Sequence, residues 1–521
     1  MLPLAAAAAL ALAAAALPGA LAGGDTVTVT LTSDLLSPPI DGAFASFSLE
    51  VNEALQYLGT PAAPNLPFAA LCNALRSASG SERGPSIRIG GGSADASLWW
   101  EQPGPLPPNQ TYAITPLDIA AYAAALPRFN GRVVLDTNFF LQDNATWGAA
   151  HVAALARLWP AGFSAGWIEG VEIGNEVDAY HDSGFRPHEW GERDYEAEFG
   201  AHAAALEAAG LPYGLVQGAT YCCDNPDYTS TFANFTARFA PLLASVSWHH
   251  YSLHGCSGGS SQPVSIYDLL ADAASAGAAA FLAPLAAAAA AAGVAFRVGE
   301  GNSVSCGGRA NVSDVFAAAL YSLDVQLESA AAGVRQWNWH GGPGAAYAPV
   351  SFARPPAPPG APDVRPLYYG MWAFAAATAR RARIARAGVA ASNPLIKGWA
   401  LQQSPVEWTL VAIHKDPNAT QGASVRVAPP AGEAVAGAGG QLARLAAPSA
   451  LSRYGVSFAG QTFDGSSDGA PVGQRVTEAV PVQAGGALEF FLPPASAALL
   501  TFTTTAAAAA DAAGASGRPG Q

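Results

Sequence analysis

Ile168-Glu-Gly-Val-Glu-Ile-Gly-Asn175 is a short, largely apolar segment that closes on a polar residue and runs straight into Glu176. Segments of the same kind flank it on both sides. Upstream are FASFSLE (44–50), SIRIGG (86–91) and RVVLDTNF (132–139); downstream are YGLVQGA (213–219), ASVSWHHY (244–251), VAFRVGE (294–300) and VRQWNW (334–339). Each is followed by an Ala/Leu-rich, helix-permissive stretch, so the spacing calls for crossover helices rather than hairpins. Eight such units predict an α/β fold, a (β/α)8 TIM barrel over residues 35–380. A doubly wound open sheet is the alternative, but Gly90-Gly91-Gly92 lacks the G-x-G-x-x-G spacing of a phosphate-cradling turn.

Beyond residue 381 the period changes. EWTLVAIH (407–414), ASVRVAPP (423–430), ALEFFLPP (487–494) and ALLTFTTT (498–505) alternate with a period of two between Gly, Pro and Ser. They predict a C-terminal all-β sandwich domain over 381–505. DTVTVTLT (25–32) alternates likewise, so residues 23–34 are expected to form an N-terminal strand pairing with that domain. The Ala/Gly-rich tail, 506–521, is expected to be disordered.

Of the 521 residues, 50% are hydrophobic and 12% charged, enough apolar material for a large core and more than one domain. The net charge of -14, with only Lys397 and Lys415 as lysines, excludes a surface built to hold nucleic acid by counterion release. One basic cluster, Arg380, Arg381, Arg383 and Arg386, follows a helical stretch and reads as a solvated helix end or a site for an acidic chain. Residues 1–22 form an apolar run ending Ala20-Leu21-Ala22, as in a cleaved signal peptide, with no membrane span expected after cleavage. Secretion, to the exterior, the cell wall or the secretory lumen, is therefore expected. Sequons at Asn109, Asn144, Asn234, Asn311 and Asn418 fit a glycoprotein. Five cysteines (Cys72, Cys222, Cys223, Cys256, Cys306) leave at least one unpaired, with the connectivity open and no metal-ligand spacing among them. The oligomeric state is not legible.

Catalytic groups of such barrels sit where strands end at the C-terminal face. The fourth segment ends Gly174-Asn175-Glu176, the sixth Trp248-His249-His250-Tyr251, the seventh Gly299-Glu300-Gly301-Asn302. Two glutamates closing strands of one barrel supply the pair of carboxyl groups that glycoside hydrolysis needs.

The stretches IRIGGGSAD (87–95), VEIGNEVDAY (171–180), WHHYSLHG (248–255) and FRVGEGNS (296–303), with SDVFAAALYSLD (313–324), resemble those of glycoside hydrolase family 79, the heparanase-like β-glucuronidases. The resemblance runs from about Phe44 to Phe374, and the β-rich remainder is similar to the family's C-terminal domain. It implies that Glu176 is the general acid/base and Glu300 the nucleophile of a retaining mechanism. It implies further that Asn175 binds the sugar 2-hydroxyl, that Tyr251 stands beside Glu300, that His249 rather than His250 lines the rim, and that Glu50 and Asn138 bind the terminal sugar. Gly341, Gly342, Tyr347 and Tyr368 are expected to gather around a uronic carboxylate. No cofactor and no metal are implied. No room exists after Asp95 for an excised linker, and few basic residues flank the motifs, so a single-chain exo-β-glucuronidase acting on terminal glucuronate or 4-O-methylglucuronate fits better than an enzyme of extended heparan chains. The alternatives are a retaining barrel glycosidase of a neutral sugar (arabinofuranosidase, xylosidase or glucosylceramidase) and a catalytically silent carbohydrate-binding protein.

Overall fold

The computed structural model describes residues 24–141, 144–223, 225–256, 263–352 and 360–505. The expected signal peptide, the expected disordered tail and residues 353–359 of the Pro-rich loop lie outside the described residues.

Eight strands close into a barrel in chain order: Ala45–Glu50, Ser86–Gly90, Arg132–Thr137, Ile168–Ile173, Val216–Tyr221, Leu243–Leu253, Ala295–Val304 and Gln336–His340. Every neighbouring pair is parallel, and the eighth strand returns to the first through Trp337 opposite Ala45. The fifth strand starts three residues later than its sequence segment, because Tyr213 and Gly214 form a turn. Helices such as Leu66–Ser79, Glu192–Ala208, Asp272–Ala291 and Phe316–Ala331 cover the outside. Asp272–Ala291 is long and apolar enough to cross a membrane by length and composition, but Ala274, Ala278, Leu282, Leu285 and Ala289 on one of its faces are buried in the protein.

The strands are apolar outward and polar inward. Ile87 and Ile89 join the core while Ser86 and Arg88, which alternate with them, bond other polar residues. A polar barrel interior costs free energy unless its groups are paired. Here Gln336 donates to Ser46, Ser245 to Gln217, and Gln217 to Glu172.

The β-domain is one ten-stranded sheet, into which the strand Asp25–Leu35 is inserted, antiparallel to Arg383–Ala391 and parallel to Ala423–Ala428. Alternation decides what each face packs against. Trp408, Leu410 and Ala412 line the sheet's own core with Val425, Leu488 and Leu500, whereas Val411 and Ile413 join the barrel cluster. Both lysines of the chain fasten this seam. Buried Lys415 lies 2.7 Å from Asp324 and 2.9 Å from Asp272, and Lys397 lies 2.9 Å from Glu328.

Cys256 is bonded to Cys306, Cys222 to Cys223, and Cys72 is free and buried. Four of the sequon asparagines are exposed; Asn144 is buried, donating to the Phe139 carbonyl.

Candidate active site

The fourth strand is followed by Gly174, with φ 77°, where a Cβ would stand 2.9 Å from both Phe139 and Val177. Glu176 itself adopts a left-handed backbone (φ 51°, ψ 46°), a conformation that a residue with a Cβ adopts only when its surroundings impose it. The tight turn delivers its carboxylate to the rim. On the seventh strand the pairing register shifts between Val298 and Glu300. The extra residue at Gly299 reverses the alternation, so Glu300 faces inward although Arg297, three residues earlier, does too. Any side chain at Gly299 would collide with Ser247, 2.1 Å from the Cβ position.

One oxygen of Glu176, one of Glu300 and a ring nitrogen of His249 lie within 4.8 Å of one another. Tyr251 donates its phenol to Glu300 Oε1 at 2.7 Å, and Arg88 donates from Nη1 to Oε2 at 2.7 Å. Burial pushes the Glu300 carboxyl up, but the charges of His340, His249 and Arg88 and the Tyr251 hydrogen bond outweigh it and hold the group well below the usual carboxylate range. His249 Nδ1 is 3.0 Å from Glu176 Oε1, while its Nε2 is buried with no partner among the described residues. The neighbouring His250 points out of the barrel onto Phe281, where burial, with the charge of His254, lowers its pKa to about 4. Strand alternation separates the two imidazoles.

Asn175 Oδ1 accepts from Arg88 Nη2 at 2.9 Å, which leaves its amide N–H groups to face a ligand. Glu50 accepts from the Ser93 backbone at 2.8 Å and lies 3.6 Å from His340 Nε2. His340 Nδ1 in turn stands 3.0 Å from Ser48 Oγ and 3.5 Å from Glu300. Burial lowers the His340 pKa, but Glu300 and Glu50 raise it by more, and the net shift is upward. Gly90 and Gly91 of the glycine run have their explanation here. A Cβ at Gly90 would be 2.7 Å from the Arg88 guanidinium, and one at Gly91 would be 2.6 Å from the Glu50 carboxylate.

Tyr347 reaches the site, with its ring 5.9 Å from that of Tyr251 and 5.8 Å from that of His340. Four other expected residues are engaged elsewhere in the chain. Tyr368 lies within the helix Pro366–Ala377, donates to the Leu71 carbonyl and packs on Phe463, so it serves the core. Asn138 spends its amide on the carbonyls of Asp95 and Ser97 and on Gln110, and its oxygen on the Leu141 N–H, holding the loops of strands two and three together. The Gly341 N–H donates to the Ser48 carbonyl and is not free for a carboxylate. Gly342 makes room for the Glu53 side chain, whose oxygen lies 2.3 Å from where a Cβ would stand. Both glycines meet a packing demand within the chain.

Arg88 and His340 are working members of the site that the strand-end motifs do not single out. Arg88 is fully buried and also bonds Glu172 from Nε and Nη2, at 2.7 and 2.5 Å. An arginine in the middle of an apolar strand is itself a signal, since such a charge is buried only when paired. Asp95, taking the Tyr180 hydroxyl at 2.6 Å, is pushed up to about 7 by burial against the pull of that hydrogen bond.

Glu176, His249 and Glu300 also meet the spacing for a divalent cation. The guanidinium on Glu300 opposes one, because it places a fixed positive charge 2.7 Å from the Glu300 carboxylate. Asp178 with Cys222 and Cys223 is the other such group, but its two oxygens accept the Cys222 and Cys223 N–H groups and the sulfurs are bonded to each other.

Residues 398–499 match the Glycosyl hydrolase family 79 C-terminal beta domain. The chain is 25% identical over 331 residues to a β-glucuronidase of Aspergillus niger, a match covering 58% of this chain and 59% of that protein. It is 24% identical over 353 residues to a β-glucuronidase of Neurospora crassa, covering 62% and 61%. It thus spans about three-fifths of the length of these relatives. Among solved structures, a 4-O-α-L-rhamnosyl-β-D-glucuronidase from Fusarium oxysporum superposes with a TM-score of 0.72 at 19% identity, covering 91% of this chain and all of that one.

Proposed function

Because the chain belongs to glycoside hydrolase family 79, we propose that it is a retaining exo-β-glucuronidase, hydrolysing terminal β-linked glucuronate or 4-O-methylglucuronate by double displacement. The observation that carries this is the approach of Glu176 and Glu300 to within 4.8 Å. Retaining pairs stand about 5–5.5 Å apart, whereas an inverting pair leaves about 6.5–9.5 Å for a water between them.

The surroundings sort the roles. Glu300, held ionised by Arg88 and Tyr251, attacks the anomeric carbon. Glu176, partly exposed and bonded among the described residues by His249, protonates the departing glycosidic oxygen. The resulting glycosyl ester is then cleaved by a water that Glu176 deprotonates, so two inversions retain the configuration. The Asn175 amide donates to the 2-hydroxyl, a contact that tightens as positive charge develops on the ring. His249 and Tyr347 line the sugar, and Glu50 accepts from its hydroxyls. The β-glucuronidase activity of the two fungal relatives supports glucuronate as the substrate class. Passage through an oxidising compartment, supported by two paired disulfides and four exposed sequons, accords with secretion.

A panel of aryl glycosides tests the assignment. Aryl β-glucuronide should be turned over at least about 100-fold faster than the β-glucoside, β-xyloside or α-arabinofuranoside if the chain shares the substrate class of its fungal relatives, since a uronate-selective site, with Tyr347 among its expected donors, loses pairing with a neutral sugar. Preference for a neutral glycoside overturns it.

A further inference from the structure

The catalytic rim uses none of the arginine cluster that follows the last barrel helix. One member of it, Arg381, reaches a cavity of about 250 Å³ at the opposite, N-terminal end of the barrel. There the linker Pro38–Asp41 passes the first residues of strands seven and eight. Four guanidinium groups line the cavity, from Arg83, Arg297, Arg335 and Arg381, against two carboxylates, Asp41 and Glu169. In a chain of net charge -14 this is a local reversal of sign.

The acids present do not satisfy the bases. The Glu169 carboxylate is shared by Arg83, by Arg297 at 3.1 Å and by the Ser86 hydroxyl. Arg83 Nε is buried and has no hydrogen-bond partner among the described residues. Burial lowers the Arg83 pKa, with Asp41 opposing and the charges of Arg297 and Arg132 adding to the shift. Arg297, 8% exposed, is brought down to about 10 by burial against the charge of Glu172. Arg380 and Arg381 both hold left-handed backbones (φ 58° and 59°), so the turn that brings Arg381 to the cavity is maintained against local preference. Arg335 and Arg381 add two exposed guanidinium groups to the two that Glu169 and Asp41 already face, and guanidinium forks match oxyanions in geometry.

We propose that this cavity is a binding site for a small tetrahedral oxyanion, sulfate or phosphate, held between the barrel arginines Arg83, Arg297 and Arg335 and Arg381 of the segment leading into the β-domain. The ion braces the junction of the two domains from the face opposite the catalytic glutamates, where barrels are built for stability.

Isothermal titration of the full protein with sodium sulfate and with sodium phosphate, each at constant ionic strength made up with chloride, tests this. One saturable site should appear for at least one of the two anions, and the tighter one identifies the physiological class. The variant Arg335→Ala/Arg381→Ala, which removes two exposed side chains and leaves Arg297 with Glu169, should keep its anion-free Tm and bind at least about tenfold more weakly. The wild type should gain about 1–2 °C in Tm at a tenfold excess of anion over Kd, and the variant should not. No saturable heat, or equal Tm gains in both proteins from general salt exclusion, overturns the proposal.

Discussion

Arg88 Nη1 lies 2.7 Å from Glu300 Oε2, and the same guanidinium holds Glu172, which ties the proposed nucleophile to the centre of the barrel. Asp136 stands 3.5 Å away on the third strand, its carboxyl driven well up by burial and by the charge of Glu172. One cation thus serves acids from strands three, four and seven.

Replacing Arg88 with Met should therefore cost about 3–5 kcal/mol of stability, the penalty for leaving buried carboxylates without their counter-charge, and should lower kcat as well. Chemical denaturation of the variant measures the first; a loss below about 1 kcal/mol contradicts the network.

Tyr251→Phe removes the phenol from Glu300 Oε1 and keeps the ring that packs beside Tyr347. A hydrogen bond to a charged group contributes about 1.5–3 kcal/mol, so kcat/KM should fall about 10- to 100-fold with little change in Tm. A variant with wild-type kcat/KM contradicts the contact.

Glu176→Ala should lose turnover of glycosides with poor leaving groups far more than of activated aryl glycosides. Azide should restore the second step by giving a β-glycosyl azide, because a small anion fits where the carboxylate stood and needs no base. Product analysis by NMR reads the anomer; no azide product, or the α-anomer, contradicts the role given to Glu176.

Asp95 makes stability depend on pH in a fixed direction. Its folded pKa is raised to about 7 above an unfolded value near 4, so the folded chain holds a proton that the unfolded chain has lost between those limits. Its contribution is fully present below about pH 4 and is lost as pH rises, at up to about 1.4 kcal/mol per unit, until about pH 7. Asp95→Asn keeps an oxygen for Tyr180 and carries no such charge. Urea melts at pH 5 and pH 8 should show a smaller stability loss in the variant than in the wild type; an equal loss places the titration elsewhere.

The barrel is legible in the sequence because each strand presents apolar residues outward at a period of two, and because segments of helical length separate all eight. Glu176, His249, Tyr251 and Glu300 are legible because they close strands. His340 ends the eighth strand one residue beyond the segment VRQWNW (334–339), which is why the strand-end motifs miss it. Arg88 is different, since the acids that pair it come from positions 84 and 212 residues away and only barrel closure brings them together. Asn138 and Tyr368 show the opposite limit. Both stand at or near strand ends or on a rim-facing segment in sequence, but the turn after Thr137 folds the asparagine amide back on neighbouring carbonyls, and the helix carrying Tyr368 directs its ring into the core. Side-chain direction at a turn depends on contacts that no local spacing reveals. For Gly341 and Gly342 the residue type is right for a close approach, but the approaching groups are Ala348 and Glu53 of the same chain.

The most direct test of the central claim is to trap the intermediate. Incubation with a 2-deoxy-2-fluoro-β-glucuronyl fluoride, followed by proteolysis and mass spectrometry, should place one glycosyl adduct on the peptide that contains Glu300, with time-dependent loss of activity. In Glu300→Gln no adduct should form. Stoichiometric labelling of Glu176 instead, or inactivation-free turnover with inversion of the anomeric configuration, would contradict a double displacement through Glu300.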